Sequence, residues 1–191
     1  MTTVLTIAPL GGFDMSNWCG GWAKRQGGPV VKVPTAANLS KDAISDAAIE
    51  LDKLIRSTPG DLIVFAHSQG CQVVGAWLDK YGLDQRVRDI ARVRFVLTGN
   101  LERAFFGYAF NKPRWIPGGN IRGITRNNTF HEVLDIGRTG DLWANYPGGF
   151  WALLRLPFNR AHLDYSSVNP DDLKPVFRPK VVNGTTYFTV P

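Results

Sequence analysis

The sequence has no long hydrophobic run, and this absence excludes a protein built around a membrane-spanning helix. No apolar stretch approaches the ~18 residues that a helix needs to cross the hydrocarbon core of a bilayer. Residues 1–8 lack the basic region of a signal peptide, and their short apolar run is more typical of a first strand. We therefore expect a protein without a signal peptide that is soluble or at most membrane-adherent.

The sequence also contains few cysteines and no low-complexity segment. The two cysteines, Cys19 and Cys71, form neither a metal-binding spacing nor a disulfide framework, so we interpret both as small buried thiols. No biased tract and no repeat of fixed period occurs, which argues against a disordered chain or a solenoid. With 191 residues, of which 44% are hydrophobic, we expect one compact domain spanning residues 1–191.

Acidic residues are fewer than basic ones, and the formal net charge is +6. Residues 84–126 contain nine Lys or Arg but three Asp or Glu, so this segment accounts for the whole excess. A basic surface can attract nucleic acid, anionic lipid or an acidic cell envelope. Because the segment contains no recognisable nucleic-acid-binding module, we interpret it as a solvated basic face and do not expect a nucleic-acid partner.

Short apolar runs alternate with helical patterns along the chain. Helices are predicted after Ser40, a plausible N-cap, and from Gln69 to about Gly82. The alternation indicates an α/β fold, a three-layer sandwich with a mostly parallel central sheet and helices on both faces. Asn183-Gly184 predicts a tight hairpin that extends the sheet edge or packs below it. The predicted strands are residues 2–10, 30–33, 62–66, 93–97 and 132–136.

A candidate nucleophile lies where a buried strand turns into a helix. Ala66-His67-Ser68-Gln69-Gly70 matches the nucleophile elbow G-x-S-x-G, with alanine in the first place. The turn requires small residues two before and two after the serine, as Ala66 and Gly70 are. A phosphate-binding loop would need more glycines or a lysine here, so we predict that Ser68 is a nucleophile rather than an ordinary serine of a nucleotide-binding fold. The helix that follows aims its first N–H, that of Gln69, at an anion beside the serine, as one half of an oxyanion hole.

A serine nucleophile needs a carboxylate and then a histidine base, in that chain order. His67 adjoins the serine but the turn directs its side chain away, and His131 fits a polar residue at a strand start. His162 lies in a late loop, after every strand that we expect the sheet to need, and is the predicted base. Two acids, Asp135 and Asp141, lie between nucleophile and base. Asp141 is favoured because it follows a flexible glycine-containing stretch, whereas Asp135 falls in a predicted strand.

Two further loops are expected to border the serine. The glycine loop after the first strand is predicted to supply the second oxyanion donor, the N–H of Gly12 or of a neighbour among residues 11–13. The segment from Asn100 to Arg126 is too long and too aromatic for a plain connection, so it is predicted to form a lid or rim. Completion of the core is the alternative for its aromatic residues, which include Phe105, Phe106, Tyr108, Phe110 and Trp115.

The second half of the chain resembles the mycobacterial PE-PPE-type serine hydrolase domain. The resemblance rests on Asp135–Pro147 with its Asp141-Leu142-Trp143-Ala144 run, on Ala161-His162-Leu163-Asp164-Tyr165, and on residues 184–191. Ala8-Pro9-Leu10-Gly11-Gly12 and the elbow fall in the right order before them. That domain is related to cutinases and, more distantly, to the lysin B esterases of mycobacteriophages. The resemblance implies a cutinase-like α/β-hydrolase fold, with Asp141 as the triad acid.

These observations favour an enzyme over a binding module. The expected activity is hydrolysis of acyl or lipid esters through Ser68, Asp141 and His162 and an acyl-enzyme, without metal or organic cofactor. The resemblance implies esters of a mycobacterial-type cell envelope, and an unsecreted, stand-alone version would suit a phage lysis or tail-associated protein or a cytoplasmic one that acts at the envelope. The alternative is a hydrolase-fold structural or envelope-binding module, such as a phage tail component, with little or no turnover.

Overall fold

A computed structural model describes residues 1–36, 38, 40–111 and 130–191, with the backbone alone for residues 88–91 and 110–111. Seven strands of this described part form one sheet: β1 (Thr3–Ile7), β2 (Val30–Lys32), β3 (Gly60–His67), β4 (Ala91–Thr98), β5 (Glu132–Arg138), β6 (Lys180–Val182) and β7 (Thr185–Val190). Their order is β2-β1-β3-β4-β5-β7-β6. All neighbours pair in parallel except β6 and β7, which form an antiparallel hairpin.

The α-helices of the described residues are α1 (Trp18–Arg25), α2 (Lys41–Ser57), α3 (Gln69–Tyr81), α4 (Gln85–Ile90), α5 (Tyr108–Asn111) and α6 (Phe150–Arg155), and short 3₁₀ helices span Met15–Asn17, Leu156–Phe158 and Arg160–Leu163. None of them is long and apolar enough to cross a membrane. Helix α2 begins at the predicted cap, where the Ser40 side chain accepts a hydrogen bond from the N–H of Ala43. Helix α1 is irregular, because residues 19–21 have left-handed backbone angles.

Alternation along the central strands places apolar side chains on both faces of the sheet. Leu5 and Val64 pack on one face with Leu51 of α2 and Trp77 of α3. Neighbouring residues, such as Phe65, point to the opposite face, which is covered by α1 and by residues 165–173. Burial of each such side chain stabilises the fold by roughly 1.5–3 kcal/mol. The expected mostly parallel sheet with helices on both faces is therefore confirmed.

The hairpin at Asn183-Gly184 extends the sheet rather than packing below it. Strand β7 inserts between β5 and the edge strand β6. The expectation that every strand needed for the sheet precedes His162 is therefore wrong, since two strands follow it. Strand β3 also begins two residues earlier than predicted, at Gly60, which pairs with Ala91 of β4.

The predicted solvated basic face is present only in part. Arg86 and Arg92 have 80% and 90% of their side-chain surface exposed, but Arg86 lies 3.1 Å from Asp84. Arg103 is buried and belongs to the interior, where it faces a carboxylate. Arg94 is half-buried and lies 3.3 Å from Glu132. The remaining basic residues of this segment lie outside the described side chains: Arg88, Lys112, Arg114, Arg122 and Arg126.

We predict that Gly184→Ala weakens the fold through the turn between β6 and β7. Asn183 and Gly184 have φ values of 49° and 79°, the left-handed region that a Cβ penalises. Alanine at Gly184 should lower the free energy of unfolding by about 1–2 kcal/mol, as measured by urea denaturation. Asn183→Gly, at the neighbouring position, is the control and should leave the stability within about 0.5 kcal/mol of the wild type. Equal effects of the two substitutions would contradict the turn geometry.

Candidate active site

Ser68 lies at the sharp turn between β3 and α3. Its φ and ψ are 53° and −116°, a combination that a non-glycine residue adopts only when its surroundings impose it. The turn is held by a hydrogen bond from the Ser68 N–H to the Thr98 carbonyl at 3.1 Å and by one from the Cys71 N–H to the Ser68 carbonyl at 3.0 Å. The serine is half-buried, so its hydroxyl remains within reach of a ligand.

The small residue two positions after the serine has a direct structural reason. A Cβ at Gly70 would lie 2.4 Å from the carbonyl oxygen of Ile7 on β1. Helix α3 therefore lies so close to the sheet that only glycine, which has no side chain, fits at this position. Ala66 is fully buried two positions before the serine, and its methyl group is accepted where the pattern has glycine.

Three of the predicted site residues are brought together at the carboxyl edge of the sheet. The Nε2 of His162 lies 2.8 Å from the Oγ of Ser68. The Nδ1 of the same ring lies 3.0 Å from both carboxylate oxygens of Asp141. These distances form one continuous chain of hydrogen bonds from the carboxylate through the imidazole to the hydroxyl.

Asp141 is fully buried, and its carboxylate has several donors. The backbone N–H groups of Trp143 and Ala144 donate to Oδ1 at 2.9 and 3.2 Å, and the Tyr165 hydroxyl donates to Oδ2 at 2.7 Å. Burial by itself raises the pKa of Asp141, but the hydrogen bonds from His162 and Tyr165 outweigh it, so the pKa lies below its usual range. The buried carboxyl is therefore held in its ionised form.

His162 lies in a short 3₁₀ helix, Arg160–Leu163, rather than in the predicted loop, and Asn159 joins this helix to the Asp141 loop. Its Nδ2 donates to the Gly140 carbonyl at 2.9 Å, and its Oδ1 accepts from the Leu142 N–H at 2.8 Å. These two hydrogen bonds hold the segments that carry His162 and Asp141 against each other. Sequence reasoning assigned no role to Asn159 or Tyr165, although Tyr165 belongs to the motif that carries the family resemblance.

Asp135, the alternative acid, belongs to a different cluster. It is fully buried on β5, where its Oδ1 lies 2.9 Å from the Nε of Arg103 and its Oδ2 accepts from Asn100 at 2.6 Å. Burial raises the pKa of Asp135 to about 6, and the charge of Arg103 and the Asn100 hydrogen bond oppose this rise. Asp135 is thus engaged with Arg103 and Asn100, whereas Asp141 is the carboxylate hydrogen-bonded to His162.

His67 packs near the site, behind the predicted base. Its buried ring lies 4.9 Å from the ring of His162 and 4.5 Å from that of Trp18, and its Nδ1 is 3.0 Å from the Thr98 Oγ1. Gly99 has a φ of 58°, and a Cβ there would lie 2.4 Å from His67 and 3.0 Å from His162. Glycine at this position therefore makes room for both rings, a requirement that the sequence pattern did not reveal.

The two predicted oxyanion donors differ in their surroundings. Gln69 is the first residue of α3, where N–H groups have no partner within the helix, and its side chain donates to the Asn38 carbonyl. The N–H of Gly12 instead donates to the carbonyl of Pro9 at 3.1 Å, within its own turn. In this conformation of the loop, the Gly12 N–H, which is one of the predicted second donors, is already engaged in a hydrogen bond.

The predicted aromatic lid or rim is mixed in character. Tyr108 is buried, Phe105 is half-buried and Phe106 is half-exposed, so completion of the core accounts for only part of this group. The side chain of Phe110, and Trp115 as a whole, lie outside the described residues.

Within the described part of the chain, no group of three or more His, Cys, Asp or Glu side chains is arranged to hold a metal ion. Both cysteines are free and buried, as predicted.

A known structure shares this architecture. A cutinase-like protein from Cryptococcus sp. superposes with a TM-score of 0.55 and 14% sequence identity over 84% of this chain and 88% of that chain. Neither the family models nor the curated proteins with which the sequence was compared give a match. The chain thus has the expected cutinase-like α/β-hydrolase fold, while the closer resemblance to PE-PPE-type and lysin B esterases stays a prediction.

We predict that the buried, neutral His67 makes the protein less stable in mild acid. Burial, followed by the proximity of His162, lowers the pKa of His67 well below 6.5, so the unfolded chain binds a proton there that the folded chain does not. Stability should fall as the pH drops from about 7 to about 5, with a contribution from this residue of up to about 1.4 kcal/mol per pH unit. Urea denaturation at several pH values should show a shallower fall for His67→Gln.

His131 provides the comparison for this measurement. Burial also lowers the pKa of His131, but less strongly than that of His67. His131→Gln should therefore flatten the pH dependence less than His67→Gln does. A His67→Gln protein whose stability depends on pH as steeply as that of the wild type would contradict a neutral His67.

Proposed function

We propose that this protein is a serine esterase that hydrolyses acyl or lipid esters. The observation that carries the proposal is the chain of hydrogen bonds from Asp141 through His162 to Ser68, at 3.0 and 2.8 Å. A hydroxyl, an imidazole and a buried ionised carboxylate in this order are the parts of a nucleophile activated by a general base. The cutinase-like fold is compatible with this chemistry but does not by itself establish it.

In the proposed reaction, the Oγ of Ser68 attacks the ester carbonyl while the Nε2 of His162 accepts its proton. The Asp141 carboxylate holds the imidazole in place and stabilises its positive charge. His162 then gives the proton to the leaving alcohol, and water cleaves the acyl-enzyme by the same route in reverse. The Tyr165 hydroxyl acts on the carboxylate, and its hydrogen bond at 2.7 Å helps to keep Asp141 ionised and correctly oriented.

The oxyanion of the tetrahedral intermediate would be stabilised at the start of α3. The N–H of Gln69 and the positive end of the helix dipole are available to a charge that develops beside Ser68. We assign the second donor to the loop of residues 11–13. Gly12 can serve only if its N–H leaves the Pro9 carbonyl, so binding of the substrate would reorganise this turn.

The proposed substrate class rests on the sequence resemblance. The PE-PPE and lysin B resemblance supports lipid esters of a mycobacterial-type envelope, with a phage lysis or tail protein as one setting. No organic or metal cofactor is required for acyl transfer through a serine. A structural or envelope-binding module is the alternative, and it has no physical need for three correctly spaced catalytic groups.

Ser68 should be the residue that a fluorophosphonate labels, because its hydroxyl is paired with His162 at 2.8 Å. Mass spectrometry of the adduct should place the label on Ser68, and Ser68→Ala should abolish labelling while the circular dichroism spectrum is retained. Ser166→Ala, an exposed serine that donates to Asp164, is the control and should label normally. A folded protein that neither labels nor hydrolyses p-nitrophenyl esters of any chain length would favour the non-catalytic module.

Asp141→Asn and Asp135→Asn should separate catalysis from stability. Loss of the Asp141 carboxylate should lower kcat on the order of 10⁴-fold with little change in KM, because the imidazole loses its orientation and its counter-charge. Asp135→Asn should leave Arg103 buried without a full negative partner and cost about 3 kcal/mol of stability, with kcat of the folded protein nearly unchanged. Steady-state kinetics and thermal unfolding of both variants test this, and the reverse pattern would exchange the two roles.

A further inference from the structure

A cluster of exposed apolar side chains lies beside the candidate site, in residues 150–163. Such large side chains are normally scattered singly over a surface, and a contiguous group of them marks an interaction site. The exposed fractions are 56% for Phe150, 74% for Trp151, 49% for Leu154, 82% for Phe158 and 54% for Leu163. We call residues 150–163 the apolar ramp.

One side of the ramp packs against the protein, and the other side is exposed to solvent. Leu156 is buried with Tyr108 and Tyr146, and Ala152 and Leu153 pack against the same group. Within the single turn and a half of α6, the exposed Phe150, Trp151 and Leu154 occupy the other side of the helix. Their exposure is therefore not due to a loose loop, since the ramp is held in place by its own buried residues.

The ramp is continuous with the catalytic machinery. His162 is part of it, and Asn159 ties it to the Asp141 loop through hydrogen bonds of 2.8 and 2.9 Å. A surface on which the ramp rests would therefore lie next to the half-buried Ser68. Leu10 and Phe13, in the loop after β1, are also exposed at this edge of the sheet and extend its apolar character.

The charge of the ramp selects among possible partners. Residues 147–163 contain no Asp or Glu, and the exposed Arg155 and Arg160 are interleaved with the apolar residues. Tryptophan and phenylalanine between arginines are typical of segments that lie in the boundary between lipid headgroups and acyl chains. Each arginine near an anionic bilayer adds attraction, so the ramp is complementary to a negatively charged lipid surface.

We propose that the apolar ramp docks this protein on an anionic lipid surface, with Trp151 and Phe158 inserted between the lipids and the opening of Ser68 facing them. As a binding site the ramp stands on its own exposure and charge, and its use in delivering lipid esters to Ser68 rests on the proposed function. Docking would bring an insoluble ester to the serine without first releasing it into water.

The test measures binding in the absence of turnover. Ser68→Ala protein is sedimented with vesicles of phosphatidylcholine containing phosphatidylglycerol, and with vesicles of phosphatidylcholine alone. The protein should bind the anionic vesicles, and a Trp151→Ser/Phe158→Ser change in the same background should weaken binding about tenfold or more through loss of buried apolar area. Arg155→Gln/Arg160→Gln should remove the preference for phosphatidylglycerol. Brominated lipids should quench the emission of the parent protein more than that of Trp151→Phe.

A matched control is available on other surfaces of the molecule. Leu83, which follows α3, is 69% exposed, and Val181 on the edge strand β6 is 67% exposed. Leu83→Ser/Val181→Ser removes two exposed apolar side chains that lie outside the ramp and should bind vesicles as the parent protein does. Thermal unfolding of each variant establishes that it is folded before binding is compared.

The outcomes distinguish this inference from the proposed function. Absence of vesicle binding, or equal loss in the ramp and control variants, would overturn docking through the ramp. A dimer that dissociates on Trp151→Ser/Phe158→Ser, without vesicle binding, would overturn it in favour of a second copy of this chain. Hydrolysis of p-nitrophenyl butyrate by the wild type tests the esterase separately: a protein that binds through the ramp but hydrolyses no ester sustains docking and refutes the esterase.

Discussion

The site depends on one backbone constraint, the strained conformation of Ser68, whose φ is positive. Such a conformation costs on the order of 1–3 kcal/mol for a non-glycine residue and persists only where the surrounding structure imposes it. Here the constraint comes from the middle of the sheet: the Ser68 N–H bonds to Thr98 on β4, and Gly70 fits against Ile7 on β1. The strands on either side of β3 therefore hold the turn, so the buried centre of the sheet imposes the conformation of the half-buried Ser68.

Two buried carboxylates six residues apart show how local partners decide the state of a charge. Asp141 receives two backbone N–H groups, a tyrosine hydroxyl and an imidazole, and its pKa is lowered. Asp135 has an arginine and an amide, yet its pKa is raised to about 6, because burial dominates there. Several short hydrogen bonds thus outweigh burial at one position where a single cation and one amide do not at the other.

Much of the fold was predictable because its signals are local. Strand runs, the Ser40 cap, the elbow and the Asn183-Gly184 turn each depend on a few neighbouring residues, and the structure places all of them with shifts of a few residues. The approach of Asp141, His162 and Ser68 was inferred from chain order and loop position. Features that depend on distant contacts were missed: the clearance at Gly99, the Tyr165 hydrogen bond and the Asp135–Arg103 pair. The engagement of the Gly12 N–H and the exposure of residues 150–163 likewise depend on tertiary packing, which no periodicity encodes.

The insertion of β7 between β5 and β6 gives the site an order of assembly. The Asp141 loop leaves the end of β5, and the Thr139 N–H in that loop bonds to the carbonyl of Val190 on β7. Arg103, which faces Asp135, also donates to the carbonyl of Phe188. These contacts can form only after residues 185–190 have been synthesised, whereas the strands that hold the elbow, β1, β3 and β4, precede them in the chain. During synthesis, the elbow can therefore form before the Asp141 loop is fixed, so the hydrogen-bonded chain from Asp141 to Ser68 is complete only after β7 has been made and has paired.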